Sequence, residues 1–381
     1  MRRGIRNNIG ANNAKVNIEL LRIILTVAIC LHHFRRYSEA LPYGGGYLAV
    51  DYFFILSGFF MGKWLVRNRP LSWDTVVAYM KKRLGRLIPE YTFAFLSAFC
   101  LYVTVLNNRF EGNITGYITE ALAIPFFQNA STLKVNPPGW YVGYLILASL
   151  IVLLFGKLTA IKSQYQPFAY IALAFTCLTL LWFSCGHLCI FPNEQTILDI
   201  ATLIRSLAGL SLGVGIYELL GLKQYDTDVI NCSSESNGEK SDNGSISRVD
   251  RYQKNAVIVA VFALIIVTSY CLFWYNGFSR FDYAVVILAT ILLILMEYAG
   301  DIIPGKRLKA LIFRISSLSY SIYLYHYLVA FVFDKYRLME GYDWKIVSIA
   351  YLGCVFAVSI LLHAIYMLLW QCVKIWVKHN E

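Results

Sequence analysis

The sequence predicts an all-α polytopic membrane protein: a bundle of about ten transmembrane helices with both termini cytoplasmic. Three observations predict it. Of the 381 residues, 58% are hydrophobic and only 15% charged, against about 45–50% and about 25% in soluble domains. Ten apolar runs are each close to the length of about 20 residues that crosses a hydrocarbon core. The 34 Lys and Arg divide unequally between alternate loops. This composition excludes a soluble globular enzyme, a disordered chain and a disulfide scaffold. The spans leave little chain for an extramembrane domain, so residues 1–381 read as one integral-membrane domain.

The runs lie near 16–34, 46–65, 89–106, 138–156, 167–185, 197–220, 255–275, 281–299, 315–334 and 346–370. Helices satisfy their backbone polar groups internally, as lipid requires, and the runs are too long and continuous for barrel strands. With the N-terminus inside, the inner segments hold 24 Lys and Arg and the outer segments eight, while Arg22 and Arg205 fall within spans. That threefold bias is the positive-inside pattern. It accounts for the net charge of +11 without a nucleic-acid partner and sets both termini on the inner side of the membrane. The first run contains Glu19 and Arg22 and lacks a small-residue cleavage site, so no cleavable signal peptide is expected.

Three segments between spans stand out. Residues 71–88 read as an amphipathic helix on the inner surface, ended by Pro89. Residues 107–137 form a long outer loop whose middle, ITEALAIPFFQ, suits the membrane interface. Residues 221–254 mix Ser, Asn, Gly and both charge signs, and read as a disordered inner linker. The nine Cys lie mostly in apolar runs, where they act as small hydrophobes. Their one cluster, Cys185-Gly-His-Leu-Cys189, has no zinc spacing and reads as a plain loop, or as a disulfide on an oxidising side. No metal is expected.

An ionisable side chain inside a span costs a few kcal/mol or more, so each is a functional candidate. The first run holds Arg22, His32 and His33, with Arg22 about 16 Å of helix rise below His33. Asp51 lies about five residues into the second run, at a depth similar to that of His33, and the short connection lets the two meet. A carboxylate beside an imidazole fixes its tautomer and raises its basicity, as a general base needs. Ser319, Tyr323 and His326 share one helix face in the ninth run. Arg205 stands alone in the sixth, near Gly209 and Gly213. Arg83 and Arg86 share a face of the inner helix and suit either a phosphate or anionic lipid headgroups. The outer aromatics Tyr43, Tyr47, Trp140 and Trp344 suit sugar stacking or an interfacial belt.

Taken together, five features resemble membrane acyltransferase family 3, the inner-membrane O-acyltransferases that decorate bacterial surface polysaccharides. They are Arg22-x10-His33; G-G-x-x-x-V-D-x-F-F-x-x-S-G-F ending at Phe59; Arg83-x-x-Arg86-x-x-Pro89; Pro138-Gly139-Trp140; and S-Y-S-I-Y-L-Y-H ending at His326. The resemblance runs from residue 16 to about 335. It implies a ten-helix bundle, an acyl-coenzyme A donor that is usually acetyl-CoA, and a sugar hydroxyl acceptor across the membrane. By position it implies that His33 is the catalytic base or acyl relay, with Arg22 its motif partner. Asp51 and Ser57 belong to the second block, Arg83 and Arg86 match the coenzyme-contacting pair, and His326 matches the ninth-span histidine.

Two departures stand out. Leu145 occupies a place where many members carry Glu, and the last span ends HAIYMLLWQC without the frequent Glu-Pro. No hydrolase-like domain follows, so the acceptor is met by the bundle itself or by a partner protein.

The expected partners are acyl-CoA, a surface polysaccharide or lipid-linked sugar, and membrane lipids. Arg83, Arg86, Arg205 and Ser57 are the expected coenzyme contacts. His33, Arg22, Asp51, His326 and Tyr323 are the expected catalytic group, with Arg205 or Tyr323 stabilising the oxyanion. Direct base catalysis by His33 is favoured over an acyl-histidine, with adjacent His32 as its rival. The alternatives are a flippase or other transporter of lipid-linked sugars, and an acyltransferase acting on a small molecule or lipid.

Overall fold

A computed structural model of the chain describes residues 16–35, 41–104, 114–124, 135–159, 163–190, 196–235, 243–275, 277, 279–299, 303 and 305–380. Among these residues there are twelve α-helices and no strand. They are α1 (Val16–Arg35), α2 (Ala49–Arg67), α3 (Trp73–Thr104), α4 (Ile114–Ala121), α5 (Trp140–Leu158) and α6 (Gln166–Ser184). There follow α7 (Thr196–Glu235), α8 (Asn243–Trp274), α9 (Phe281–Ala299), α10 (Lys306–Ser317), α11 (Ser319–Lys335) and α12 (Trp344–Asn380).

Nine described helices are long and apolar enough to cross a membrane. The shorter α10 and α11 pass that test only as a pair, bent by 54° at Leu318. Counting the pair once gives the ten spans that the sequence predicts. The exterior is apolar: α8 exposes Val259, Phe262, Ile266 and Tyr270, and α12 exposes Ile346, Ile349, Leu361 and Leu368. A chain in water would bury such faces, whereas hydrocarbon solvates them.

The structure departs from two local expectations. The expected surface helix 71–88 does not end at Pro89, because α3 runs unbroken from Trp73 to Thr104. Proline has no N–H, so the carbonyl of Gly85 loses its helical donor. Val76, Leu87, Tyr91, Ala94 and Phe95 bury one face of α3 against the bundle, and that packing carries the helix through the gap. Nor is 221–254 an open linker among its described residues: α7 continues to Glu235 and α8 resumes at Asn243. A helix already nucleated within the bundle extends by about one hydrogen bond per residue, so polar composition alone does not end it. Residues 236–242 lie outside the described residues.

Glycines bring α2 and α7 into close contact. A Cβ on Gly213 would sit 2.0 Å from the Ile55 carbonyl oxygen, and one on Gly58 would sit 2.1 Å from that of Leu210. Such approach is open only to residues without a side chain. An ion pair ties each end of this seam: Asp51 to Arg205 at one, and Arg69 to Glu218 at 2.5 Å at the other.

Gly213→Val is expected to destabilise the fold by about 3 kcal/mol or more, because backbone rather than a flexible side chain must give way. The check is the melting temperature of the solubilised protein. Gly221→Val, which meets open space, serves as the control.

Candidate active site

A cavity of about 450 Å³ opens among α1, α2, α3, α5 and α11. Arg22, Ser57, Tyr79, Arg83, Arg86 and Tyr320 line its polar part. Ile29, Val50, Phe53, Leu56 and Leu145 line its apolar part, together with Tyr141 and Tyr323. Three guanidiniums therefore face the space, and no Asp or Glu is among its described lining residues. Such a surface takes an anion, and guanidinium forks fit phosphate oxygens in pairs.

Each Arg is held differently. Arg22 donates from Nη1 to Glu19 Oε2 at 2.8 Å, one turn back on α1. The same carboxylate accepts the Ser316 hydroxyl, which ties α1 to α10. Arg83 donates to Ser57 Oγ at 2.6 Å and to Tyr79 OH at 2.8 Å. Its buried Nε has no hydrogen-bond partner among the described residues. Arg86 lies one turn further along α3, on the same wall.

Beyond the apolar end stand two imidazoles. The rings of His33 and His326 are 5.2 Å apart, centroid to centroid. His326 is fully buried. Its Nδ1 lies 2.7 Å from the Tyr323 carbonyl oxygen. A carbonyl can only accept, so Nδ1 carries a proton, and in the neutral ring Nε2 then keeps its lone pair. That Nε2 is buried with no partner among the described residues, which is the arrangement a neutral proton acceptor needs. His32 points elsewhere, donating from Nδ1 to the Tyr43 carbonyl at 3.2 Å and packing on Tyr47.

Neither His33 nor His326 is among the residues lining the cavity. Ile29 lies one turn before His33, and Tyr323 one turn before His326. The ring of Tyr323, which lines the cavity, stands 5.9 Å from that of His326, centroid to centroid, so this one side chain links the cavity wall to the imidazole pair. Tyr141 packs edge-on against Tyr323 at 5.5 Å, and the Tyr323 hydroxyl donates to the Pro138 carbonyl. Ile29, Tyr141 and Tyr323 form the layer between the two parts.

Asp51 requires a correction. Its carboxylate engages Arg205 and not His33: Arg205 donates from Nε to Oδ1 at 2.9 Å and from Nη2 to Oδ2 at 2.7 Å. Asp51 faces α7 across the glycine seam. Arg205 also donates to the Ile190 and Tyr47 carbonyls, and it is absent from the cavity lining. A guanidinium committed to four acceptors is not placed to hold a coenzyme phosphate or an oxyanion.

The outer aromatics also differ from expectation. Tyr43, Tyr47 and Trp140 are buried, with the Tyr43 hydroxyl on Ser348 and that of Tyr47 on Asp282. They are packing residues rather than open stacking surfaces. Cys185 and Cys189 are free thiols, and no group of three metal-ligating side chains occurs among the described residues.

Thus Arg22, Ser57, Arg83, Arg86 and Tyr323 meet at one cavity, His33 meets His326 outside its lining, and Asp51 pairs with Arg205 at the α2–α7 seam. Sequence reasoning passed over Glu19, Tyr79, Tyr141 and Tyr320. The i, i+3 spacing of Glu19 to Arg22 and the i, i+4 spacing of Tyr79 to Arg83 were available signals.

Fold and site define a polytopic membrane protein with a cationic internal cavity set beneath a pair of imidazoles. A model of the acyltransferase domain matches residues 15–367, and the chain belongs to acyltransferase family 3. It is therefore a membrane acyltransferase, with an acyl donor and an acceptor. No curated protein and no solved structure gives a significant match.

Breaking the buried pair by Asp51→Asn is expected to cost about 3–5 kcal/mol, because Arg205 would be left charged and unpaired. The double change Asp51→Leu with Arg205→Met removes the unpaired charge and is expected to recover part of that loss, the bonds of Arg205 to the Ile190 and Tyr47 carbonyls still being lost. Melting curves of the three solubilised proteins check both statements.

Proposed function

We propose that the protein transfers an acyl group, acetyl in the simplest case, from acyl-CoA to a sugar hydroxyl across the membrane. The acceptor is a cell-surface glycan or its lipid-linked precursor, and the basic end of the bundle faces the cytoplasm of a cell whose cytoplasmic membrane holds the protein. The observation that carries this reading is a cavity with three arginines and no Asp or Glu among its described lining residues, whose Tyr323 packs against one of two adjacent imidazoles. Arg22, Arg83 and Arg86 hold the coenzyme phosphates, with Ser57 and Tyr79 fixing the fork of Arg83. The pantetheine arm lies along the apolar wall.

His33 takes the proton of the acceptor hydroxyl as its oxygen attacks the thioester carbonyl. The carbon–sulfur bond breaks, and the coenzyme leaves as thiolate and is then protonated. His326, neutral with a bare Nε2, shares the proton with His33. That role replaces the one first assigned to Asp51. Tyr323 swings from the Pro138 carbonyl as the layer opens, and its hydroxyl then donates to the developing oxyanion. Family membership favours transfer over transport of a lipid-linked sugar. A small-molecule or lipid acceptor would use the same centre.

The test uses purified protein in nanodiscs with radiolabelled acetyl-CoA and glycan acceptor. His33→Gln and His326→Gln are each expected to lower transfer at least about 100-fold, while His32→Gln stays near wild type. Transfer that survives His33→Gln but not His32→Gln would show the wrong imidazole has been assigned. Arg83→Gln is expected to raise KM for the coenzyme about 10- to 100-fold, the loss of one or two charge-assisted hydrogen bonds. Mass spectrometry of surface glycans with and without the protein identifies the acceptor, and an unchanged acetyl pattern counts against a glycan.

A further inference from the structure

A second polar cluster lies outside the cavity, on α3, α11 and α12. Ser321 donates its hydroxyl to Glu90 Oε1 at 2.6 Å. His363 Nδ1 lies 2.8 Å from the same carboxylate oxygen and 3.0 Å from Ser321 Oγ. Glu90 and Ser321 are buried, whereas the side chain of His363 is 30% exposed and closes the cluster from the bundle surface. A carboxylate inside a span is costly, and here hydrogen bonds from Ser321 and His363 offset that cost, which makes the cluster a functional candidate.

The residue types are those of a nucleophilic triad, but the geometry is not. In such a triad the serine proton goes to one ring nitrogen and the carboxylate holds the other. Here one nitrogen, Nδ1, faces both partners, and the serine proton is committed to Glu90. The cluster joins helices instead of activating a hydroxyl. Its position says which helices matter. Glu90 lies one turn beyond Arg86 on α3. Ser321 follows Tyr320, whose hydroxyl donates to the Leu87 carbonyl at 2.8 Å. At 100° per residue, Ser321 points away from Ser319 and Tyr323, which line the cavity on the same helix. Two ties therefore fasten α3 to α11: Tyr320 to Leu87 within the cavity wall, and Ser321 to Glu90 beside it.

We propose that Glu90, Ser321 and His363 are positioning residues, a three-helix clamp that sets the spacing of α3 and α11 and hence the width of the donor cavity. This rests on the reading of that cavity as the coenzyme site. The clamp touches neither donor nor imidazoles, so its loss weakens donor binding and leaves the chemical step alone.

The test compares wild type with Ser321→Ala, His363→Phe and His363→Asn, full length in nanodiscs. Steady-state transfer from acetyl-CoA is measured beside equilibrium binding of radiolabelled coenzyme A. Ser321→Ala and His363→Phe are expected to raise KM and the dissociation constant about tenfold, with kcat within twofold of wild type. His363→Asn places an amide N–H close to the position of Nδ1 and is expected to stay within threefold of wild type. A fall in kcat at constant KM would overturn the clamp, as would unchanged KM beside a lowered melting temperature. A wild type that binds no coenzyme A would overturn the donor reading, whereas a wild type that binds it no better than His363→Phe would overturn the clamp alone.

Discussion

The structure hangs on one buried charge pair. Asp51 and Arg205 lie 2.7 Å apart, oxygen to nitrogen, in a bundle whose interior and exterior are both apolar. Neither charge is tolerable alone there, and a bidentate fork is the geometry that best compensates two desolvated ions. The pair can form only because Gly58, Gly209 and Gly213 let α2 and α7 approach to backbone contact. Arg205 then reaches the Tyr47 and Ile190 carbonyls. The Tyr47 hydroxyl reaches Asp282, which also accepts the Leu188 N–H. One guanidinium thus fixes the start of α2, the segment before α7 and, through Asp282, the start of α9. Val50, Phe53, Leu56, Ser57 and Phe60 hold their wall of the cavity because α2 cannot rotate.

Charge is sorted along the bundle. The cavity gathers three cations with no Asp or Glu among its described lining residues, and the imidazoles near it sit among Tyr323, Tyr327 and the buried Tyr351. Ile29, Tyr141 and Tyr323 form the apolar and aromatic side of its wall. In the proposed reaction this layer separates the thioester from water until the acceptor is in place, so transfer outcompetes hydrolysis. Leu145 adds to the apolar wall where charge would hold water.

Local rules were sound where they concerned helical class and span length and weak where they concerned continuity. Pro89 reads as a stop signal, yet α3 passes through it because one lost hydrogen bond is small beside a buried helix face. The polar stretch after residue 220 reads as a linker, yet α7 continues into it. Tyr43 and Tyr47 read as surface aromatics, but hydroxyl partners on α12 and α9 allow them to be buried. In each case a one-dimensional pattern was overruled by contacts with residues far away in the chain.

By itself the sequence determined the helical class, the approximate spans and which side chains were too polar for their surroundings. Lipid imposes a length and a composition on every span, and both are written locally. It also set the spacing of Arg22 and His33 along α1, because rise along a helix is arithmetic. Only the tertiary structure decided partners. Asp51, expected beside His33, turns to Arg205, 154 residues away, because helix rotation and neighbour choice come from the packing of whole faces. Arg83 met Ser57, and Glu90 met Ser321 and His363, for the same reason.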